Sequence, residues 1–450
     1  MRMEQKALYS KKALILLVLP LLIDQLLGVM TGIADTFMVS VVGEEAVSGV
    51  SLVDTINVLF ITVFGGLSTG GAVICARLIG QGKKEKVSKA ANQLILSTVT
   101  IAVAIMIVCL VFKKDILTII FGSVSDGVIN NAVIYFIIVA LSFPFLAIYY
   151  ACTALFRAMG NSKLPMLVSL IMNVINVIGN GVLLYGFHMG VAGVAIPTLV
   201  SRIIACMIML YFLRQEKYLI NISKFSFRVD WHMIKQILSI GVPNGLEIGI
   251  FQIGKILVLS LISSLGTTVI TANAIANTIS TFAALPEDAI ALALLTVVGQ
   301  CAGANRFDEA KKYTKKLLKV TYCFMLVLNI VIIIGAPVIV KFFHLAEETA
   351  SVATVLVRFN SCFGLTIWPL AFALPNALRA ASDVKYPLVV SFVSMWTFRV
   401  FLSYLLVKYA SVGILGIYMC YGIDWIVRAI AFTSRFLSGK WITIAKRYNE

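Results

Sequence analysis

The sequence predicts an all-α integral membrane protein with twelve transmembrane helices arranged as two parallel-repeat lobes of six. Three observations predict it. Of 450 residues, 60% are hydrophobic and only 13% are charged, with a mean hydropathy of +0.98, against about 25% charged in an ordinary soluble domain. Twelve apolar runs, each long enough to cross a bilayer at about 20 residues per span, fill almost the whole length. The chain also resembles itself at an offset of about 223 residues. The first two observations exclude a soluble globular protein and a disordered one.

The runs fall at 13–40, 47–78, 90–112, 128–156, 165–187 and 190–213, then at 236–264, 268–300, 317–340, 348–378, 387–408 and 412–435. The first follows Arg2, Lys6, Lys11 and Lys12 in the manner of a signal peptide. It is too long for one, contains Asp24 and Asp35, and lacks a small-residue cleavage site, so it is expected to remain as the first span. Several later runs carry Gly, Ser, Thr and Asn, as helices do where they pack closely or line a wet cavity. Connections on one side of this arrangement collect 28 of the 37 Lys and Arg residues, and those on the other side hold four. The positive-inside bias therefore predicts a multi-pass protein of the cell membrane with both termini cytoplasmic. It also accounts for the net charge of +16 through membrane sidedness, so no nucleic-acid partner is expected. Eight scattered cysteines and three separated histidines offer neither a disulfide framework nor a metal cluster.

The repeat is legible position by position. Pro20 matches Pro243, Gly43 matches Gly266, Thr55-Ile56 match Thr278-Ile279, and Gly190-x-x-Gly193 match Gly413-x-x-Gly416. The run from Arg157 through Lys163 to Pro165 recurs from Arg379 through Lys385 to Pro387, one residue out of step. Six spans is an even number, so both halves enter the membrane from the same side and form parallel repeats. The expected organisation is an N-lobe over 1–213, a cytoplasmic linker over 214–235 and a C-lobe over 236–450. Two bundles of this kind suit alternating access.

At these positions the chain resembles the multidrug and toxic compound extrusion (MATE) transporters. The matching features are Asp35-Thr36 with Gly43-Glu-Glu-Ala46, Gly80-Gln81-Gly82, the segment Arg157 to Pro165, and Gly190 to Ala195. In the second half they are Pro243 to Glu247, Phe251 to Lys255, and Val298-Gly-Gln300. The resemblance implies a V-shaped pair of six-helix lobes around a central cleft. It also implies export of amphipathic, often cationic compounds in exchange for inward movement of H+ or Na+, with no cofactor and no catalysis. Working partners would be small molecules and the lipid bilayer, with a monomer as the functional unit.

A carboxylate in a bilayer core costs about 2.5 to 3.5 kcal/mol on insertion scales, which makes each intramembrane acid a candidate for function. Asp35 leads, and the resemblance carries Asn176, Asn180 and Thr198 into the same ion- or proton-coupling pocket. A carboxylate with amide and hydroxyl oxygens suits Na+, the one metal expected, and protonation would discharge the same site. Related proteins commonly have Asp-Pro where this chain has Asn180-Gly181, so one formal charge is missing. The plainer alternative is a hydrogen bond from Asp35 between packed helices. At offset 223, Asp35, Asn176 and Thr198 correspond to Val258, Arg399 and Tyr421, so the second half lacks this constellation.

Glu247 and its counterpart Asp24 each lie four residues beyond a shared proline. Pro20 is expected to act as a hinge, and Glu247 to serve coupling or substrate in the C-lobe. Glu287 and Asp288, after Pro286, are assigned either to cation attraction or to a wetted helix break. Asp54 and its counterpart Asn277 are placed near helix starts, where capping competes with a polar role in the cleft. Asp424 and Arg428, spaced i,i+4, read as an intrahelical pair. The competing function is a flippase for a lipid-linked precursor. Motifs for a lipid-modifying enzyme or an ATP-driven pump are missing from the sequence.

Overall fold

The computed structural model describes residues 7–122, 125–222, 225–410 and 412–449. Arg2, Lys6 and Lys224, which contribute to the charge bias, lie outside them. The first half runs α1 (Lys11–Ser40), α2 (Glu44–Gly80), α3 (Lys84–Val111), α4 (Lys113–Phe121), α5 (Asp126–Leu141), α6 (Phe143–Ala158), α7 (Lys163–Gly181) and α8 (Ala192–Leu213). The second runs α9 (Trp231–Ser263), α10 (Thr267–Gly303), α11 (Phe307–Lys341), α12 (Glu347–Thr366), α13 (Leu374–Ala380), α14 (Lys385–Ser394), α15 (Ser403–Tyr409), α16 (Ile414–Leu437) and α17 (Lys440–Arg447). Ten helices are long and apolar enough to cross a membrane. Two bent pairs, α5 with α6 and α12 with Pro369–Ala380, bring the number to twelve among the described residues.

Each expected run coincides with one of these spans, and the halves repeat one another in detail. The bends of 47° and 64° interrupt the fourth and tenth spans at matching places. Gly43 and Gly266 precede α2 and α10 at φ of 126° and 105°, a backbone region open to glycine and strained for other residues. Glu44 and Glu45 then occupy the first turn of α2, where a helix N-terminus favours negative charge. Three π-helical turns follow α7 at Val182–Gly186, precede α13 at Pro369–Ala373 and follow α14 at Met395–Leu402.

The prolines do not break their helices. α1 continues through Pro20, α9 through Pro243 and α10 through Pro286. The expected helix break at Glu287 and Asp288 is therefore absent, because α10 is unbroken from Thr267 to Gly303. Asp54 and Asn277 are not at helix starts either. α2 and α10 start at Glu44 and Thr267, about three turns before Asp54 and Asn277, which rules out capping.

By packing, the chain divides into two compact units. One comprises Leu19–Gly245, and the other comprises the residues up to Val18 together with those from Leu246 onward. The division thus falls beside Pro20 and Pro243 and not within 214–235. In the first unit α2 packs on α3, α5 and α6, and α7 on α8. The start of α9 joins this unit along a glycine seam: a Cβ on Gly70 would meet Ile237 O at 2.5 Å and Gly241 N at 2.6 Å, and one on Gly66 would meet Gly245 Cα at 2.6 Å. Such contacts let backbones approach as larger residues would not. The segment before α9 is held by α3, where Asn92 donates to Ser226 O (2.6 Å) and Gln93 to Arg228 O (2.7 Å). In the second unit α10 packs on α11, α12 and α13. Tyr9 ties the start of the chain to it, donating its hydroxyl to Gln300 Oε1 (2.6 Å) and its N–H to the Tyr313 hydroxyl (3.0 Å). Burial pushes the Tyr9 phenol well above its ordinary value.

Candidate functional site: a carboxylate–amide chain in the first unit

The four expected coupling residues meet in one place. Asn176 and Asn180 stand one turn apart on α7 and so share a face. Asn180 donates to Asp35 Oδ1 on α1 (2.8 Å) and approaches Asn176 Oδ1 (3.3 Å), while Asn176 donates to Thr198 Oγ1 on α8 (3.0 Å). Thr198 in turn donates to Val194 O (3.0 Å). The result is a linear chain of side chains joining three helices. Asp35, Asn176 and Thr198 line a cavity of about 210 Å³. Asn180 itself is fully buried, and its Oδ1 accepts no hydrogen bond among the described residues. A buried carbonyl oxygen without a donor beside a carboxylate is an environment into which a small cation fits.

Asp54, Tyr135 and Arg202 are among the further polar residues that line the same cavity. Asp54 accepts from Asn57 Nδ2 (3.2 Å) and from the Tyr135 hydroxyl (3.3 Å). Arg202 donates to Ser142 Oγ (2.6 Å). The sequence points to Asp54 only as a secondary polar residue and does not single out Arg202. A signal for Arg202 was present, since it follows Thr198 by four residues on the same helix.

The remaining expected residues separate into three groups. Asp24 and Glu247 form equivalent ion pairs, one in each unit: Arg157 with Asp24 Oδ2 (2.7 Å) and Arg379 with Glu247 Oε1 (2.7 Å). Both arginines come from the repeated motif. Glu247 Oε1 also accepts from Ser391 Oγ (2.6 Å), and its buried Oε2 has no hydrogen-bond partner among the described residues. Glu287, Asp288 and Asn277 line a cavity of about 280 Å³ in the second unit. Asp424 and Arg428 form the intrahelical pair (2.8 Å).

An all-helical, multi-pass membrane protein made of duplicated halves, with a polar cavity inside each unit, has the architecture of a small-molecule carrier. The MatE family profile matches residues 20–182 and again 243–405, two copies whose boundaries are 223 residues apart, and the chain belongs to that family of transporters. Among similar proteins is the "probable multidrug resistance protein NorM" of Thermotoga maritima, 25% identical over 440 residues, or 96% of this chain and 93% of that protein. Another is the "uncharacterized transporter YisQ" of Bacillus subtilis, 26% identical over 431 residues, 94% of this chain and 93% of that one. A crystal structure of MATE in the bent conformation matches with a TM-score of 0.88 at 20% identity, over 98% of this chain and 97% of that one. The chain is thus a transporter and not an enzyme.

Proposed function

We propose that the protein is a secondary-active exporter of amphipathic, cationic compounds, driven by inward movement of H+ or Na+ through the first-unit cavity. The observation that carries this reading is the chain Asp35–Asn180–Asn176–Thr198 beside an unpartnered, buried Asn180 Oδ1. A proton would sit on Asp35. A sodium ion would be held by the oxygens of Asp35, Asn180, Asn176 and Thr198. Either cation neutralises Asp35 and weakens its hold on Asn180, so that α1 is free to bend at Pro20. In this mechanism the neutralised site releases a cationic cargo outward, and discharge of the driving ion to the cytoplasm resets it. Both termini are cytoplasmic, as the charge bias predicts, and one chain is the working unit. Glu287 and Asp288 attract cargo in the second unit, with Glu247 serving coupling or substrate through its buried, unpartnered Oε2.

The test is efflux of a fluorescent cationic dye from proteoliposomes, with sodium and proton gradients imposed separately at matched potential. One gradient should drive efflux, and Asp35→Asn should abolish it while the protein stays folded. Efflux at the wild-type rate in that variant would refute the site. No response to either gradient would favour the lipid-precursor flippase.

A further inference from the structure

The chain just before α9 alternates apolar and polar residues: Phe225, Phe227, Val229 and Trp231 are separated by Ser226, Arg228 and Asp230. In an extended chain alternate side chains share a face, and the backbone groups of alternate residues share an edge. Two buried amides of α3 hold that edge. Asn92 donates to Ser226 O (2.6 Å) and accepts from Ser226 N–H (3.1 Å). Gln93 donates to Arg228 O (2.7 Å) and accepts from Asp230 N–H (3.1 Å). The segment is bound to α3 as a strand is bound to the edge of a sheet, and its apolar row is fixed in place. Phe225 and Phe227 are in ring contact, with centroids 5.3 Å apart. The row is nevertheless uncovered: Phe227 is 80% exposed and Trp231 76%. Contiguous exposed apolar side chains rimmed by polar ones mark an interaction surface.

The helix that holds the row also sets its depth. The first turns of α3 carry Lys84, Glu85, Lys86 and Lys89, and no charged residue follows from Ala90 to Val111. Asn92 and Gln93 stand three and four residues past Lys89, about 5 to 6 Å along the axis at 1.5 Å per residue. The row therefore lies where a bilayer changes from hydrocarbon to headgroups, the level at which aromatic rings gather. Lys89 shares a helix face with both amides, and Lys86, Lys89 and Arg228 are exposed. Two neighbouring acids are engaged at helix N-termini: Asp230 accepts from Met233 N–H (3.1 Å) at the start of α9, and Glu85 lies in the first turn of α3. Positive charge beside apolar rings at this depth complements an anionic leaflet. A second copy of the chain would instead bring the same cations against these.

We propose that the segment Phe225–Trp231 on α3 is a binding site for anionic phospholipid. Phe227 and Trp231 enter the headgroup boundary, and Lys89 and Arg228 pair with the uncompensated phosphate. This goes beyond the proposed transport reading and does not depend on its coupling scheme.

Tryptophan quenching in the full chain tests it, in nanodiscs of equal phosphatidylglycerol and phosphatidylcholine with one or the other lipid brominated. The emission that depends on Trp231, taken as wild type minus Trp231→Phe, should show at least about a fivefold preference for phosphatidylglycerol, which corresponds to about 1 kcal/mol. Lys89→Gln with Arg228→Gln should erase the preference. Lys312→Gln with Lys315→Gln, which removes two exposed cations from α11, should keep it. All four altered cations are exposed, so both variants should fold as the wild type does, as matching elution profiles would confirm. Emission of Trp231 quenched by neither lipid would place the row off the membrane and overturn the proposal. Equal quenching by both lipids, or equal loss of preference in the α11 variant, would overturn the choice of an anionic headgroup. A dimer in light scattering that dissociates on Phe227→Ser would assign the row to a second copy instead.

Discussion

Replacing Gly70 with alanine puts a single methyl group where the seam between α2 and the start of α9 has no room. Its Cβ would lie 2.5 Å from Ile237 O, 2.6 Å from Gly241 N and 2.8 Å from Gly241 Cα, all of them backbone atoms that no rotamer change can move. Non-bonded carbon contacts settle at about 3.5 to 4.0 Å, so the helices must part by about 1 Å. Overpacking of this kind costs about 1 to 3 kcal/mol, and a rigid backbone partner puts Gly70 at the upper end. Alanine recovers about 1 kcal/mol of helix propensity, which leaves a net loss of about 2 kcal/mol. Gly65 is the internal control, because it stands on the same helix and a Cβ there meets nothing within 4 Å. Gly65→Ala should hold or raise stability. The assay is the midpoint temperature for loss of the monodisperse peak of detergent-solubilised protein, with Gly70→Ala below wild type and Gly65→Ala at or above it. If Gly70→Ala matches Gly65→Ala, the seam does not carry the packing assigned to it.

Three other perturbations follow from the same geometry. Arg379→Met strands the Glu247 carboxylate and should destabilise by about 3 to 5 kcal/mol, and adding Glu247→Gln should recover most of the loss in a double-mutant cycle by the same thermal assay. Asn180→Asp places a second carboxylate against Asp35 and should raise sodium affinity at least about tenfold by calorimetry, since affinity grows with ligand charge; unchanged affinity would remove sodium from that pocket. Tyr9→Phe removes the bond to Gln300, worth about 1 kcal/mol, and should speed proteolytic trimming of the start of the chain.

The spans were legible because a bilayer demands long apolar runs, and each run contains a helix in the structure. The charged shoulders were not. Glu44, Lys84 and Phe307 begin helices before hydropathy rises. The bend after Leu141 and the π-helical turn carrying Arg399 arise from packing and leave no clear mark in composition. The Asp35 pocket was found because its residues could be matched to a family pattern and spaced on helices. Arg202 and Tyr135 escaped because a basic side chain and a phenol in a span read equally well as anchors. The repeat marks Arg157, Asp24, Arg379 and Glu247 singly but does not pair them, because spacing along the chain leaves open which helices meet in the ion pairs Arg157–Asp24 and Arg379–Glu247. Nothing in the hydropathy indicated which bundle the ends of α1 and α9 join. The glycines at 66, 70, 241 and 245, spaced by four on both helices, were the available clue.

That exchange of helix ends bears on ancestry. The opening turns of α1 complete the unit that starts at Leu246, and the opening turns of α9 complete the unit that starts at Leu19. Swapping identical elements between copies is a low-cost route to a symmetric dimer. A single-copy forebear with this packing would have lacked its own first turns and could have acquired them only from a second copy. Fusion of two such genes would convert a concentration-dependent pair into one polypeptide. The reverse operation has the same logic: cutting the chain between Lys217 and Asp230 should yield fragments that are unstable when made separately and recover when made together.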